Sequence, residues 1–281
     1  MSSTSPAATH LSGARARTAH ALPWALDPDA RTRWLAAVAG GSAGVFLDYD
    51  GTLTPIADRP EQATLSAATR GQLVRLADRC PVTIVTGRDI GVVRDFVRLD
   101  QIGYAGCHGM DIAGPAGSNL RYEAAASLLP VLDAAEAELR SGLQGVPGAL
   151  VERKRYSVST HYRLVDPADT AAVDAVVASV AQRFAALRRE RGKKVFELRP
   201  DVDWDKGSAV AWLMASLSLD PRAATYIGDD ETDEHAFALL AGAGVPIVVS
   251  HDDRPTNARY RVHDPGEVAL VLDLLIDALR A

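Results

Sequence analysis

The 281-residue sequence predicts an α/β protein: a doubly wound parallel-sheet core carrying an inserted α+β unit. Three observations lead there. Short apolar runs such as Gly44-Val45-Phe46-Leu47 end in polar loops, as expected of strands covered on both faces. Helical stretches alternate with those runs, which is the pattern of a parallel sheet with crossover helices. Between residues 113 and 198 the texture changes to two helical and two alternating stretches, and then the first pattern resumes. The resulting division is a flexible tail over 1–30, a core over 31–112 and 199–281, and an inserted unit over 113–198.

Taken in order, Met1 to about Pro28 is rich in Ser, Thr, Ala, Pro and Arg without periodicity, and such a segment buries too little apolar area to offset its ordering entropy. A short helix is expected from Thr32 to Val38, then the strand at 44–47 and the loop Asp48-Tyr49-Asp50-Gly51-Thr52. Leu65, Leu73, Val74 and Leu76 mark a helix, Pro81 to Val85 a strand, and Tyr104 to Gly106 a shorter one before Cys107-His108-Gly109. In the insertion, 124–139 and 168–191 read as helices, while 150–163 and 194–198 alternate. A helix from Lys206 to Leu217, a strand at 224–227, a helix through His235 to Leu240, a strand at 246–249 and a helix from Pro265 to Leu279 complete the chain.

Thirty basic against 36 acidic residues give a net charge of -6, so no global attraction toward nucleic acid or an anionic membrane is expected. The basic run Arg188, Arg189, Arg191, Lys193 and Lys194 is read as the cationic end of a helix. Two cysteines make no disulfide framework, and both are expected to be buried thiols. No apolar run reaches the roughly 18 residues of a membrane span, and a cytoplasmic protein is expected.

In an open parallel sheet, ligands bind beyond the carboxyl ends of the strands. Asp48 and Asp50 follow the first strand, Thr86 follows the second, Lys206 opens a helix, and Asp229, Asp230 and Asp233 follow a later strand. If the backbone stays extended, side chains 48 and 50 share one face and two carboxylates address one centre. Clustered hard oxygens suit Mg²⁺, and the absence of a Cys/His cluster argues against zinc. A carboxylate attacking a phosphate dianion needs compensating cations, which Mg²⁺ and Lys206 would supply. Thr86 offers a hydroxyl, and Gly87 permits close approach of its N–H.

The succession Asp48-Tyr49-Asp50-Gly51-Thr52-Leu53-Thr54, Val85-Thr86-Gly87-Arg88, Lys206-Gly207 and Gly228-Asp229-Asp230-Glu231-Thr232-Asp233 resembles the four motifs of the haloacid dehalogenase superfamily. From about residue 42 to 280 the chain resembles more narrowly the trehalose-6-phosphate phosphatases, through Gly106 to Asp111, Glu152-Arg153-Lys154, Ser157 through Arg163 and Val195 to Pro200. The resemblance implies that Asp48 is a nucleophile forming an aspartyl-phosphate and that Asp50 is the general acid and base. It implies that Thr86 and Lys206 hold the phosphate and that Mg²⁺ is bound by Asp48, the Asp50 carbonyl and Asp229. Asp230 and Asp233 are either ligands through water or outer anchors, and the two are not ranked.

By the same resemblance the insertion is a cap that recognises the sugar. Alternation sends Ser157, Ser159, His161 and Arg163 to one face and Val158, Thr160 and Tyr162 to the other, and it separates Glu197 and Arg199 from Phe196 and Leu198. The resemblance points to Lys154, Ser157, His161 and Glu197 as sugar readers, joined by Gly87, Arg88, His108, Asp111 and Arg121 in the substrate site. Asp111 stands where the family commonly has Glu. Trehalose 6-phosphate is the implied substrate, with functional coupling to a trehalose-phosphate synthase. The alternatives are a sucrose-phosphate or mannosyl-phosphoglycerate type of sugar phosphatase, or a non-catalytic sensor; loss of Asp48, Asp50 or Lys206 would mark the sensor, and all three are present.

Overall fold

Residues 17–57 and 59–279 are described by the structure, a computed structural model. The chain forms β1 (Arg17–Thr18) and enters α1 (Pro28–Ala39) through Asp27, whose carboxylate accepts the N–H groups of Asp29 and Ala30 at 3.0 and 3.1 Å. Pro28 costs nothing at the first helical position, where its missing N–H would have no partner. Then come β2 (Gly44–Leu47), α2 (Ala67–Ala77), β3 (Val82–Val85), α3 (Ile90–Val97), β4 (Gly103–Gly106), β5 (Asp111–Ala113) and β6 (Arg121–Glu123). The insertion supplies α4 (Leu129–Gly142), β7 (Leu150–Lys154), β8 (Ser157–His161), α5 (Thr170–Arg183), β9 (Leu187–Gly192) and β10 (Val195–Pro200). The chain returns through α6 (Lys206–Ser216), β11 (Ala224–Gly228), α7 (Glu234–Leu240), β12 (Val245–Val249), β13 (Pro255–Thr256), β14 (Tyr260–Val262) and α8 (Pro265–Ala278).

The large sheet has the order β14-β12-β11-β2-β3-β4-β5-β6, parallel from β14 to β4 and antiparallel at β5 and β6. Its central strands are buried on both faces. Val45, Leu47 and Ile84 pack with Trp34, Leu73 and Leu272 on one side, while Phe46, Val85 and Tyr226 pack with Leu213 and Phe237 on the other. Alternation therefore separates two apolar layers rather than an inside from an outside. Because β2 lies between β3 and β11, chain progression reverses there, and the carboxyl ends of these three strands open on one crevice.

The inserted sheet is antiparallel, in the order β7-β8-β10-β9. Val158, Phe196 and Leu198 face α4 and α5, where Leu132, Val173 and Val177 complete a separate core. Ser157, Ser159 and Glu197 share the opposite, polar face.

Several sequence expectations are corrected here. The helix expected over 168–191 ends at Arg183, and residues 187–192 form β9, paired residue by residue with β10. Arg188, Arg189 and Arg191 thus lie on a strand, with Arg189 and Arg191 covering the Phe196 ring at 4.3 and 5.2 Å. Tertiary pairing overrides the helical reading of a stretch whose last buried helical residue is Val180. Residues 17–27 of the expected tail are also anchored: β1 pairs with β13, Ala19, Leu22 and Ala25 are buried, and the Trp24 indole donates to Glu267 at 2.9 Å. Residues 1–16 lie outside the described residues. Finally, β5 and β6 extend the large sheet, so 113–123 belong with the core rather than the insertion.

Phe196 is fully buried and stacks on Tyr162 with 4.7 Å between centroids. Phe196→Ala is expected to cost about 3–5 kcal/mol in urea unfolding of the inserted unit. A cost below about 1 kcal/mol would contradict this packing.

Candidate active site

Asp48 leaves the end of β2 with its N–H donating to the Ile227 carbonyl of β11 at 2.9 Å, which fixes its backbone against the sheet. Its carboxylate is buried and meets Lys206, the first residue of α6. Lys206 Nζ donates to Asp48 Oδ1 at 2.8 Å and to Asp233 Oδ1 at 2.6 Å, while only 2% of its side chain is exposed. Tyr226 OH donates to the same Asp233 oxygen at 2.6 Å. α6 presents Lys206 here because Asp205 caps the helix, accepting the Ser208 N–H at 2.7 Å.

One oxygen each from Asp48, Asp229 and Asp233 lies within 4.8 Å of the other two, so three carboxylates share one ammonium. Burial drives the Asp48 carboxyl well above its ordinary pKa, and the Asp233 charge adds to this while Lys206 opposes it. Asp229 is pushed up to about 6, first by burial and then by Asp233 and Asp230. Burial alone would lower the Lys206 pKa; Asp48 and Asp233 outweigh it, and the ammonium is held charged. Converging hard oxygens with surplus negative charge are the donor set a divalent cation such as Mg²⁺ takes. The residues present fit that ion, with Asp48 and Asp229 as the holders reached by a single lysine's field.

Gly51 has φ +81°, and a Cβ there would collide with the Asp229 carboxylate, so glycine lets the Asp48–Thr52 loop pass beneath the acidic group. Thr52 adds a hydroxyl to Asp229 Oδ1 at 3.3 Å. Asp50 does not join the acidic group through its side chain. Arg88 grips its carboxylate in a fork, Nε to Oδ2 at 2.7 Å and Nη2 to Oδ1 at 2.6 Å.

Thr86, at the end of β3, is buried, and its hydroxyl accepts the Arg88 N–H at 3.2 Å. The turn Cys107-His108-Gly109 is left-handed at all three residues, with φ 51°, 57° and 91°. It is tied to the Thr86–Arg88 loop, since Cys107 N–H donates to Arg88 O and His108 N–H to Thr86 O, both at 2.8 Å. A Cβ on residue 87 would come within 2.8 Å of His108 Cε1, so Gly87 is required for this approach. His108 Nδ1 is buried without a hydrogen-bond partner. Its imidazole is held neutral, with the pKa lowered to about 3 by burial and then by Arg199, Lys206, Lys154 and Arg188.

Across the polar face of the inserted sheet, register aligns Glu152, Ser159, Glu197 and Glu190 in one row. Ser157 and Ser159 donate to Glu197 Oε1 at 2.8 and 3.0 Å, and Lys154 Nζ stands 3.8 Å from that oxygen. His161 lies one row beyond and bonds Glu152 at 2.8 Å, so it does not join this cluster. Asp111 and Arg121 also stand apart, ion-paired at 2.6 Å on β5 and β6.

A family model for trehalose-phosphatase matches residues 46–266. The trehalose-phosphate phosphatase of Mycobacterium marinum is 44% identical over 232 residues, 80% of this chain and 59% of its own length. A probable trehalose-phosphate phosphatase 3 of rice is 39% identical over 266 residues, 86% of this chain and 73% of its own. The chain belongs to the trehalose-phosphatase family. The crystal structure of Aspergillus fumigatus trehalose-6-phosphate phosphatase superposes with a TM-score of 0.66 at 27% identity, over 91% of this chain and 99% of that one. The core has the haloacid dehalogenase-like fold that the motifs implied. The chain spans about three fifths of the length of the mycobacterial relative.

Within this family fold, two of the candidate residues hold protein partners. Asp230, expected like Asp233 as a ligand through water or an outer anchor, caps the helix: its side chain accepts the Glu231 N–H at 2.7 Å, while Asp233 Oδ2 accepts the Asp230 N–H at 2.9 Å. That reciprocal box turns Asp230 outward and drives Asp233, which is fully buried, into the acidic group. Arg88, expected in the substrate site, grips Asp50 in this structure. Sequence reading missed Tyr226 and Thr52, which support the acidic residues. Hydroxyls on strand and loop residues are too common to single out without the fold.

Asp229, with its raised pKa, binds a proton more tightly folded than unfolded, so it favours the metal-free fold at low pH, and that contribution is lost as pH rises through about 6. A bound cation competes with that proton. Mg²⁺ is therefore expected to raise the melting temperature more at pH 7.5 than at pH 5; an equal shift at both would remove Asp229 from the metal site.

Proposed function

We propose that this protein is a Mg²⁺-dependent phosphatase that hydrolyses trehalose 6-phosphate to trehalose and phosphate. Membership of the family supports the substrate. The observation that carries the chemistry is the buried Asp48–Lys206 pair, 2.8 Å apart at the carboxyl end of β2 and next to two further carboxylates.

In this reading Asp48 attacks phosphorus, and the bond to the sugar oxygen breaks as an aspartyl-phosphate forms. Asp50 gives the departing oxygen its proton, because an alkoxide is a poor leaving group. Asp50 then takes a proton from the water that attacks the aspartyl-phosphate, and Asp48 is restored as phosphate leaves. To do this Asp50 exchanges its Arg88 contact for the substrate. Lys206 and the Thr86 hydroxyl hold phosphoryl oxygens, and His108, kept neutral, offers Nδ1 as a hydrogen-bonding group without adding charge. Bound Mg²⁺ supplies neutralisation of the phosphoryl charge. Glu197, Lys154 and Ser157 form a polar patch of opposite charges and hydroxyls, suited to reading sugar hydroxyls where unpaired groups are costly.

Asp48→Asn is expected to abolish phosphate release from trehalose 6-phosphate with the circular dichroism spectrum unchanged; retained turnover would refute the covalent route. Glu197→Ala is expected to lower kcat/KM for trehalose 6-phosphate at least about tenfold more than for p-nitrophenyl phosphate. Equal losses on the two esters would take Glu197 out of sugar recognition.

A further inference from the structure

The polar face of the inserted sheet is tied to the large sheet through one turn. Residues 155 and 156 join β7 to β8, between Lys154 and Ser157, the two residues that flank Glu197 on that face. Between described residues, the side-chain hydrogen bonds and ion pairs that cross from 126–200 to the rest of the chain come from Arg155 and Tyr156. The Arg155 guanidinium stands 3.2 Å from Asp111 on β5 and pairs with Glu123 on β6. Tyr156 OH donates to Glu123 at 3.1 Å, and the Tyr156 ring is buried with Cys107, Met110 and Ala125.

The third anchor is Asp89. It occupies the N-cap of α3, directly after Thr86-Gly87-Arg88, where a carboxylate ordinarily accepts N–H groups of its own helix. It makes no such bond. Instead Oδ1 accepts the Cys107 thiol at 2.8 Å and Oδ2 accepts the Arg155 N–H at 3.2 Å. One side chain thus joins the catalytic loop, the His108 turn and the tip of the inserted sheet. Asp111 needs the cation for its own sake: only 5% of its side chain is exposed, and Arg121 and Arg155 are the cations that face it.

We propose that Arg155 is a positioning residue, a latch that clamps the Lys154–Ser157 turn onto Asp89, Asp111 and Glu123 and so sets the sugar-reading face over the catalytic loop. The proposal rests on the reading that this face contacts the sugar. Engaged, the latch keeps Lys154 and Arg199 close enough to His108 to act on its charge. Released, it frees the sheet to pivot on the segments around 124–128 and 201–205, giving the sugar a way in and out. The Arg155 and Glu123 side chains are polar and partly exposed, so their pairing exchanges for water more readily than an apolar contact would, while Asp111 keeps Arg121 as a second cation. A cavity of about 750 Å³ beside the latch, walled by Asp89, Arg94, Asp95 and Asp111 and by Arg155 itself, gives the guanidinium room to swing away.

The test is Arg155→Ala, assayed on trehalose 6-phosphate and p-nitrophenyl phosphate, with small-angle scattering of the full chain. KM for trehalose 6-phosphate is expected to rise roughly tenfold with kcat within about twofold, while turnover of the small ester stays within about twofold and the radius of gyration increases. Equal losses on both esters, or an unchanged KM and radius of gyration, would overturn the latch. Should the alanine variant not fold, Arg155→Lys decides: it keeps the charge but not the fork, and an intermediate rise in KM supports the proposal, whereas an unchanged KM or a kcat loss shared by both esters refutes it. Wild-type protein that cleaves the small ester but not trehalose 6-phosphate would sink the substrate reading alone, and the scattering comparison would still judge the latch.

Discussion

The structure turns on one buried ammonium. Lys206 lies between Asp48 and Asp233 with almost no exposure, and Asp229 adds a third carboxylate within reach. Removing ions from water costs several kcal/mol each, and a single cation against three acids leaves the group short of positive charge. The shortage appears as raised proton affinity at Asp48 and Asp229. A cluster in that condition takes up a proton, a divalent cation or both, since the hydroxyls of Thr52 and Tyr226 bond its oxygens without supplying positive charge.

Much of the surrounding architecture holds that lysine in place. α6 and α7 pack so closely that a Cβ on Gly207 would come within 2.6 Å of the His235 carbonyl, which brings the first turn of α6 against the acidic loop. The capping box between Asp230 and Asp233 fixes the loop from its other end, and Arg254 donates to the Asp229 carbonyl at 2.8 Å. On the far side of β2, two non-glycine residues accept left-handed backbone at 107 and 108, an arrangement that costs energy and persists because Arg88, Thr86 and Asp89 all bond to that turn. The strain sits where His108 must lie flat against Gly87.

What could be read from the chain and what could not divides along a physical line. Asp48, Thr86 and Asp229 were legible because each follows a buried apolar run, and a strand's carboxyl end is a position that local pattern defines. Lys206 was legible from its place at a helix start and from the family motif. The choice between Asp230 and Asp233 was not, because it depends on a reciprocal hydrogen bond three residues long that rotates one carboxylate outward and the other in. β9 was hidden for a different reason: Arg188 to Gly192 carries no apolar alternation, and its strand form comes from β10 and from two arginines spread over Phe196. The anchoring of residues 17–27 likewise depends on partners more than 230 positions away, such as Glu267 beneath Trp24.

The two interfaces of the inserted unit differ in kind, and the difference has a functional meaning. Its own core is apolar, with Phe196, Val158 and Leu198 closed under α4 and α5, so the unit would keep its shape if the proposed latch released. Its junction with the large sheet is a small apolar cluster at Tyr156 ringed by ion pairs and hydrogen bonds. A broad apolar junction would bind the two bodies permanently and close the crevice to the proposed disaccharide ester; a wholly polar one would leave Lys154 and Ser157 without a defined height. A junction of modest strength, placed next to Lys154 and Ser157 rather than at the distal His161 row, would give the proposed latch a defined closed position that water can still compete away. That is the mechanical property the proposed reaction, with its large, hydroxyl-rich leaving group, would require.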